Sequence, residues 1–257
     1  MNQQQWNDFY KFREEFREVC KAWKDEFSEI LKPLQKISAN QDKVPKYNIE
    51  NPIVYNTALD QITQEDDIKL IVIGDNPGKN EQLEINQKYL VGQSGKIAEG
   101  FFKKNPILKT DFRKNVIILN KTPIHTAKTK ELLFLKSQNE KIAQLIKESQ
   151  IWFAKKTVEL QIALDCKMWL VGYAEVKNKG IFEDYKKTLL EEYQKSEKGK
   201  NAYQKFFVYQ HFSMNRFLID LNEFSKSFPQ PLSEENLETR LDELGKFRKN
   251  QIFGYKN

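Results

Sequence analysis

The sequence predicts an α/β fold, a three-layer αβα domain around a central four-stranded parallel sheet, with an N-terminal helical extension. Two observations predict it. Four short runs, residues 68–73, 115–119, 168–171 and 206–209, are apolar almost throughout, as strands covered on both faces must be. Between them lie segments with helical spacing of apolar residues, long enough for the crossovers that parallel strands require.

Residues 4–36 read as one amphipathic helix. Phe9, Phe12, Phe16, Cys20, Trp23 and Phe27 recur at steps of three and four, with Arg, Glu and Lys between them, and the stripe continues through Leu31 and Leu34. Its aromatics are too bulky and irregular for a heptad seam, so it is expected to pack on the core. This divides the chain into a helical extension, residues 1–44, and a main domain, 45–257. Pro45, Pro52 and the Asn-rich stretch 48–56 mark an extended connection. The first strand, 68–73, breaks at Gly74-Asp75-Asn76-Pro77-Gly78. Ser94 is placed to cap a helix running to about Phe102. After the strand 115–119 a long helical region spans about 130–164. The strand 168–171 ends at Gly172, a helix covers about 182–197, the fourth strand is 206–209, and a charged helical tail starts at Ser233.

Composition narrows the function classes. The 257 residues are 39% hydrophobic and 30% charged, with mean hydropathy −0.70, enough apolar material for one sizeable core. Ten glycines and eight prolines exclude collagen-like and linker-rich chains. No apolar run approaches the ~20 residues of a membrane span, and the opening Met1-Asn2-Gln3-Gln4-Gln5-Trp6 has no export signal. Two cysteines, Cys20 and Cys166, cannot form a disulfide framework, a four-cysteine zinc site or an iron–sulfur cluster. The expectation is a reduced, cytoplasmic protein, monomeric, with no cofactor, no metal and no membrane partner. A net charge of +6 and a pI near 9.0 suit a polyanionic partner.

In open parallel sheets, sites form where strand carboxyl ends meet the following loops. Those loops start at Gly74-Asp75-Asn76-Pro77-Gly78, Asn120-Lys121-Thr122-Pro123, Gly172-Tyr173-Ala174 and His211-Phe212-Ser213. A phosphate-loop reading of the first fails, because Gly74 and Gly78 enclose three residues instead of four and Lys79 is followed by Asn80. His125, with no Cys or His cluster near it, is expected to be a loop histidine rather than a metal ligand.

The combination of motifs is more specific than any one of them. Residues 71–81, Ile-Val-Ile-Gly-Asp-Asn-Pro-Gly-Lys-Asn-Glu, followed by 90–97, Leu-Val-Gly-Gln-Ser-Gly-Lys-Ile, resemble the opening motif of the uracil-DNA glycosylase superfamily. Residues 115–123, Asn-Val-Ile-Ile-Leu-Asn-Lys-Thr-Pro, resemble its uracil-reading strand, 169–174 its next strand, and His211-Phe212-Ser213-Met214-Asn215 its His-Pro-Ser motif. Residues 47–55 are similar to an Asn-Pro stretch of the single-strand-selective branch, and 91–96 to the iron–sulfur branch, whose cluster cysteines this chain lacks. The motifs fall in family order over residues 47–216.

The resemblance implies a monofunctional glycosylase that hydrolyses the N-glycosidic bond of uracil or a related deaminated base in DNA, as in base excision repair. Asn120 would read the base, since an amide offers both donor and acceptor. His211 would donate to O2, where charge develops. Asn76 or Asp75 would hold the attacking water, with Gly74, Pro77 and Gly78 lining the base. Leu90 stands where the iron–sulfur branch stacks a Phe, leaving Tyr89 or Phe101 as the aromatic substitute. Ser213, Met214, Asn215 and Lys121 would meet DNA, with Met214 a candidate wedge and Lys103, Lys104, Lys109, Lys128 and Lys130 candidate phosphate contacts. The alternative is a non-catalytic nucleic-acid-binding protein on the same fold.

Overall fold

A computed structural model describes residues 1–177 and 180–254. Strands β1 (Leu70–Gly74), β2 (Val116–Asn120), β3 (Lys167–Val171) and β4 (Phe206–Tyr209) form one parallel sheet in the order β2-β1-β3-β4. Nearly every strand residue is buried, which explains their uninterrupted apolar character. The first strand is entered later than the sequence suggests: Ile68 is buried, but the ladder starts at Leu70↔Val116 and ends on Gly74↔Asn120.

Eight α-helices cover the sheet among the described residues. They are α1 (Gln3–Gln41), α2 (Gln93–Lys104), α3 (Glu131–Gln138), α4 (Glu140–Leu164), α5 (Glu183–Gln194), α6 (Glu197–Gln204), α7 (Arg216–Ser225) and α8 (Leu237–Phe253). On one face Trp169 stacks on Phe102 of α2 and Phe217 of α7, while Gly245 lets α8 approach Phe207 and Tyr209. On the other face α4, α5 and α6 pack together, and Tyr193 and Tyr203 meet Phe206. The three-layer arrangement is therefore present. No helix among the described residues is long and apolar enough to cross a membrane.

Several helix boundaries differ from expectation for local reasons, and the charged tail becomes helical at Leu237 rather than at Ser233. The helical region 130–164 is two helices, because Asn139 adopts an extended backbone and its side chain caps Lys141 N and Ile142 N at 2.9 and 3.2 Å. The helix 182–197 likewise stops at Gln194, and Ser196 starts α6 by accepting from Gly199 N. Ser94 is not a cap: α2 begins at Gln93 after Gly92, with no side-chain capping bond. Helix α7, not anticipated from the sequence, follows the fourth strand and buries Phe217 and Leu221.

Helix α1 runs five residues past the expected end, through an exposed Pro33. It starts with a capping box between Asn2 and Gln5. Phe9, Phe12, Phe16, Cys20 and Leu31 are buried, and Phe16 meets Phe153 of α4 edge-on at 4.9 Å. The last turns reach the loops behind the cleft: the buried Gln35 amide donates to Pro52 O at 3.0 Å and His125 O at 2.7 Å. The extension is thus a brace for the site as well as a cover for the core.

Candidate active site

The order β2-β1-β3-β4 makes the chain leave β1 to one side and return to the other, which opens a crevice at the carboxyl ends of β1 and β3. A cleft of about 750 Å³ lies there, lined from all four strand ends by Asp75, Asn76, Asn120, Gly172 and His211. Six stretches of the sequence converge on it, residues 75–81, 90–94, 120, 126–130, 172–175 and 210–216.

Asn120, the last residue of β2, is 2% exposed. Its Nδ2 is buried and has no hydrogen-bond partner among the described residues. Gly74 is the reason the amide fits: a Cβ at that position would stand 2.5 Å from Asn120 Oδ1. An unsatisfied buried amide donor costs roughly 1–3 kcal/mol, so the cleft holds a group that a ligand acceptor would complete.

His211 follows β4 and lines the cleft. Its Nδ1 accepts from Ser213 N at 3.1 Å and lies 2.8 Å from Ser213 Oγ. Because a backbone N–H can only donate, the proton of the neutral ring sits on Nε2, leaving an N–H for a ligand. Burial holds the imidazole below the usual histidine range; Asp75 opposes that shift and Lys121 adds to it. Ser213 therefore acts on His211.

Asp75 and Asn76 both line the cleft. Asn76 Nδ2 donates to Thr126 Oγ1 at 2.8 Å and Ile124 O at 3.2 Å, which leaves Oδ1 for water or ligand. Asp75 Oδ1 lies 2.6 Å from Lys121 Nζ. Gly172, at φ +84, leaves room for that carboxylate, since a Cβ there would come 2.9 Å from Oδ1. Gly78 is on the cleft lining, whereas Gly74 and Pro77 shape the loop from behind. Pro77 O receives Thr126 N and the His125 ring.

Several expected contacts are not formed. Lys121 is fully buried, with Nζ on Asp75 Oδ1 and three strand-end carbonyls, and cannot reach a phosphate. Tyr89 is a core residue, 1% exposed, with its hydroxyl donating to Val54 O at 2.6 Å. Phe101 is likewise buried, against Phe102 and Phe217. Neither can stack on a ligand; Leu90, at φ +51, is the apolar side chain on that wall. Lys128, Lys130 and Arg216 rim the cleft, with Lys128 and Lys130 bonded to Asp42, but Lys103, Lys104 and Lys109 are not part of its lining.

Met214 is 70% exposed and, with Asn215, forms two successive left-handed residues at φ 53 and 58. The turn is anchored by Phe212, which is fully buried against Phe217 at 4.7 Å. Met214 is therefore a projecting tip on a fixed base.

His125 is a structural histidine: Nδ1 donates to Pro77 O and Nε2 accepts from Tyr47 Oη, both at 2.9 Å. Burial pushes it down to about 4. The sequence reading missed Glu81, whose carboxylate accepts from Gly78 N at 2.8 Å and also bonds backbone groups of Leu90 and Val91. Burial, partly offset by those bonds, pushes it up to about 7. The Gly-Lys-Asn-Glu spacing from Gly78 to Glu81 is the signal that could have found this closed turn. No group of three His, Cys, Asp or Glu able to hold a metal occurs among the described residues. No family model, curated protein or solved structure matches the chain.

Proposed function

We propose that this protein is a monofunctional DNA glycosylase of the uracil-DNA glycosylase type, acting on uracil or a related deaminated base. The observation that carries the reading is the buried Nδ2 of Asn120, without a partner among the described residues, in the same cleft as the Nε2–H of His211. A flipped pyrimidine offers what this pair lacks. Its O4 accepts from Asn120 Nδ2, its N3–H donates to Asn120 Oδ1, and its O2 receives His211 Nε2–H.

In the reaction the C1′–N1 bond breaks and its electron pair leaves with the base, as charge mainly on O2 and O4. His211 stabilises that anion by hydrogen bond, a contribution of about 3–4 kcal/mol for a well-placed donor. Water held by Asn76 Oδ1 and the Asp75 carboxylate adds its oxygen to C1′, and its proton passes to Asp75. Met214 fills the stack that the base has left, and Arg216, Lys128 and Lys130 at the rim meet the phosphates.

The test uses end-labelled oligonucleotides, single- and double-stranded, each carrying one deaminated base, incubated with the protein and then treated with alkali. Breaks at uracil, or at one related lesion, support the reading and name the base. Salt-dependent binding with no break at any lesion would replace it with the non-catalytic alternative.

A further inference from the structure

The floor of the cleft contains a cation that the proposed chemistry does not touch. Lys121 follows β2, yet its Nζ lies 2.6 Å from Asp75 Oδ1, 3.1 Å from Gly74 O, 3.1 Å from Val171 O and 3.2 Å from Gly172 O. All four acceptors belong to the carboxyl ends of β1 and β3. The ammonium also sits 5.2 Å from the centre of the Phe182 ring. It is fully buried, whereas the Asp75 side chain keeps 17% of its surface exposed. The pair therefore runs from the carboxyl ends of the two central strands to the cleft wall, with the carboxylate at its open end.

We propose that Lys121 is a positioning residue, fixing the Asp75 carboxylate in the cleft that His211 lines. What the carboxylate then does, orienting water toward C1′, rests on the glycosylase reading; the fixation does not. Neutral donors could satisfy the three carbonyls. A buried ammonium is expensive to desolvate and is stable only with an anionic partner and further acceptors. Its presence here is explained by Asp75, and Asp75 is held in turn from two sides. Lys121 binds Oδ1, and Gly172 leaves no Cβ where the carboxylate stands.

The pair also acts electrically on the one histidine of the cleft. Burial disfavours imidazolium at His211, Asp75 favours it and Lys121 disfavours it. The other charged groups lining the cleft are Lys79 and Glu81 after β1, Lys128 and Lys130 before α3, Glu175 after β3 and Arg216 at the start of α7. None of them is altered in the test below.

The experiment follows both histidines of the full chain by NMR through a pH titration, in the parent, Lys121→Met and Asp75→Asn. The chain has two histidines, and His125, bonded to Tyr47 and Pro77, is the internal reference. His211 is expected to titrate at higher pH in Lys121→Met and at lower pH in Asp75→Asn, with His125 unmoved. On the best lesion substrate, Lys121→Met should lower the single-turnover rate about 10- to 100-fold, as displaced reacting groups do. Its affinity for the same DNA should stay within about twofold, because a fully buried lysine makes no phosphate contact.

A His211 titration unmoved in both folded variants, or a Lys121→Met rate equal to the parent's, would overturn the proposal. If Lys121→Met does not fold, Lys121→Gln, which removes the charge and shortens the reach of the donor toward Asp75, takes its place in both readouts, and a parent-level rate or an unmoved His211 there overturns the proposal. A parent protein that excises no base, with His211 shifting in the two expected directions, would sink the glycosylase reading and leave the positioning intact.

Discussion

Replacing Asn120 with alanine should make the protein more stable and less active. The amide Nδ2 is buried without a partner among the described residues, and relieving such a group returns about 1–3 kcal/mol. Against this stands the loss of the carboxamide's contacts over Gly74, where Oδ1 approaches closely enough to exclude a Cβ. One methylene-sized group of lost packing is worth about 0.8 kcal/mol. The side chain lines a cleft of about 750 Å³, so the space vacated joins the cleft and adds no sealed cavity. The balance is a gain of about 1 kcal/mol, which for a domain of this size moves Tm upward by roughly 2–4 °C.

Urea unfolding at pH 7.5 gives the stability, and single-turnover excision of the preferred base gives the activity, expected to fall by about two orders of magnitude or more. Asn120→Asp supplies the second arm. A carboxylate can accept from N3–H but cannot donate to O4, so it should change which base is accepted. A loss of more than about 1 kcal/mol in Asn120→Ala would show that the amide is well satisfied in the free protein. The argument that it waits for a ligand would then fail.

Four further outcomes are expected. His125, pushed down to about 4 by burial, contributes stability that is complete above its unfolded value near 6.5 and is lost as pH falls toward 4, about 3 kcal/mol in all; a His125→Gln protein should lack that acid-side loss in urea unfolding. Glu81, pushed up to about 7, acts with the opposite sign. The native state takes up its proton first, so its contribution declines as pH rises from about 4.5 to 7 by a similar amount, and Glu81→Gln should remove that decline. Met214→Ala should leave stability within about 0.5 kcal/mol, because the side chain is 70% exposed, while lowering affinity for lesion DNA in a fluorescence titration. Arg216→Gln should weaken binding to all sequences alike and reduce the slope of log K against log salt by about one.

The sheet was legible because burial on both faces leaves a strand no polar positions, and Phe206–Tyr209 is apolar throughout. Helix boundaries were less so. Asn139 and Ser196 sit within otherwise helical patterns, and only the capping bonds to Lys141, Ile142 and Gly199 show that the chain restarts there. Helix α7 is short, Arg216–Ser225, and its stripe of Phe217, Leu221 and Phe224 covers only two turns directly after a strand-end loop, which makes it hard to separate from that loop in the sequence. At the site, Asp75, Asn76, Asn120 and His211 were found from their place at strand ends, and the structure brings all four to one cleft. Tyr89 is hard to place from sequence, because an aromatic beside a motif carries no mark of which way it faces; its hydroxyl donates to Val54 O in the core.

Lys121 shows why strand-end chemistry is hard to read in one dimension. A lysine after a strand is ordinarily solvated, and in a basic protein it suggests a phosphate contact. In a parallel sheet, however, the carboxyl ends of neighbouring strands direct carbonyls toward the same crevice, and buried carbonyls need donors. Here Gly74 O, Val171 O and Gly172 O converge on one point. An asparagine side chain from the end of β2 has two amide protons and is committed to the cleft above; the next residue, with a four-carbon stem and three protons, reaches the point below. The same convergence draws Asp75 inward to balance the charge, which is how a carboxylate comes to stand on the cleft wall with a fixed orientation. The arrangement depends on three strands at once, so it is written in no single motif, and the residues that best betray it in the sequence are Gly74 and Gly172, each small because a neighbour's side chain occupies the place of its Cβ.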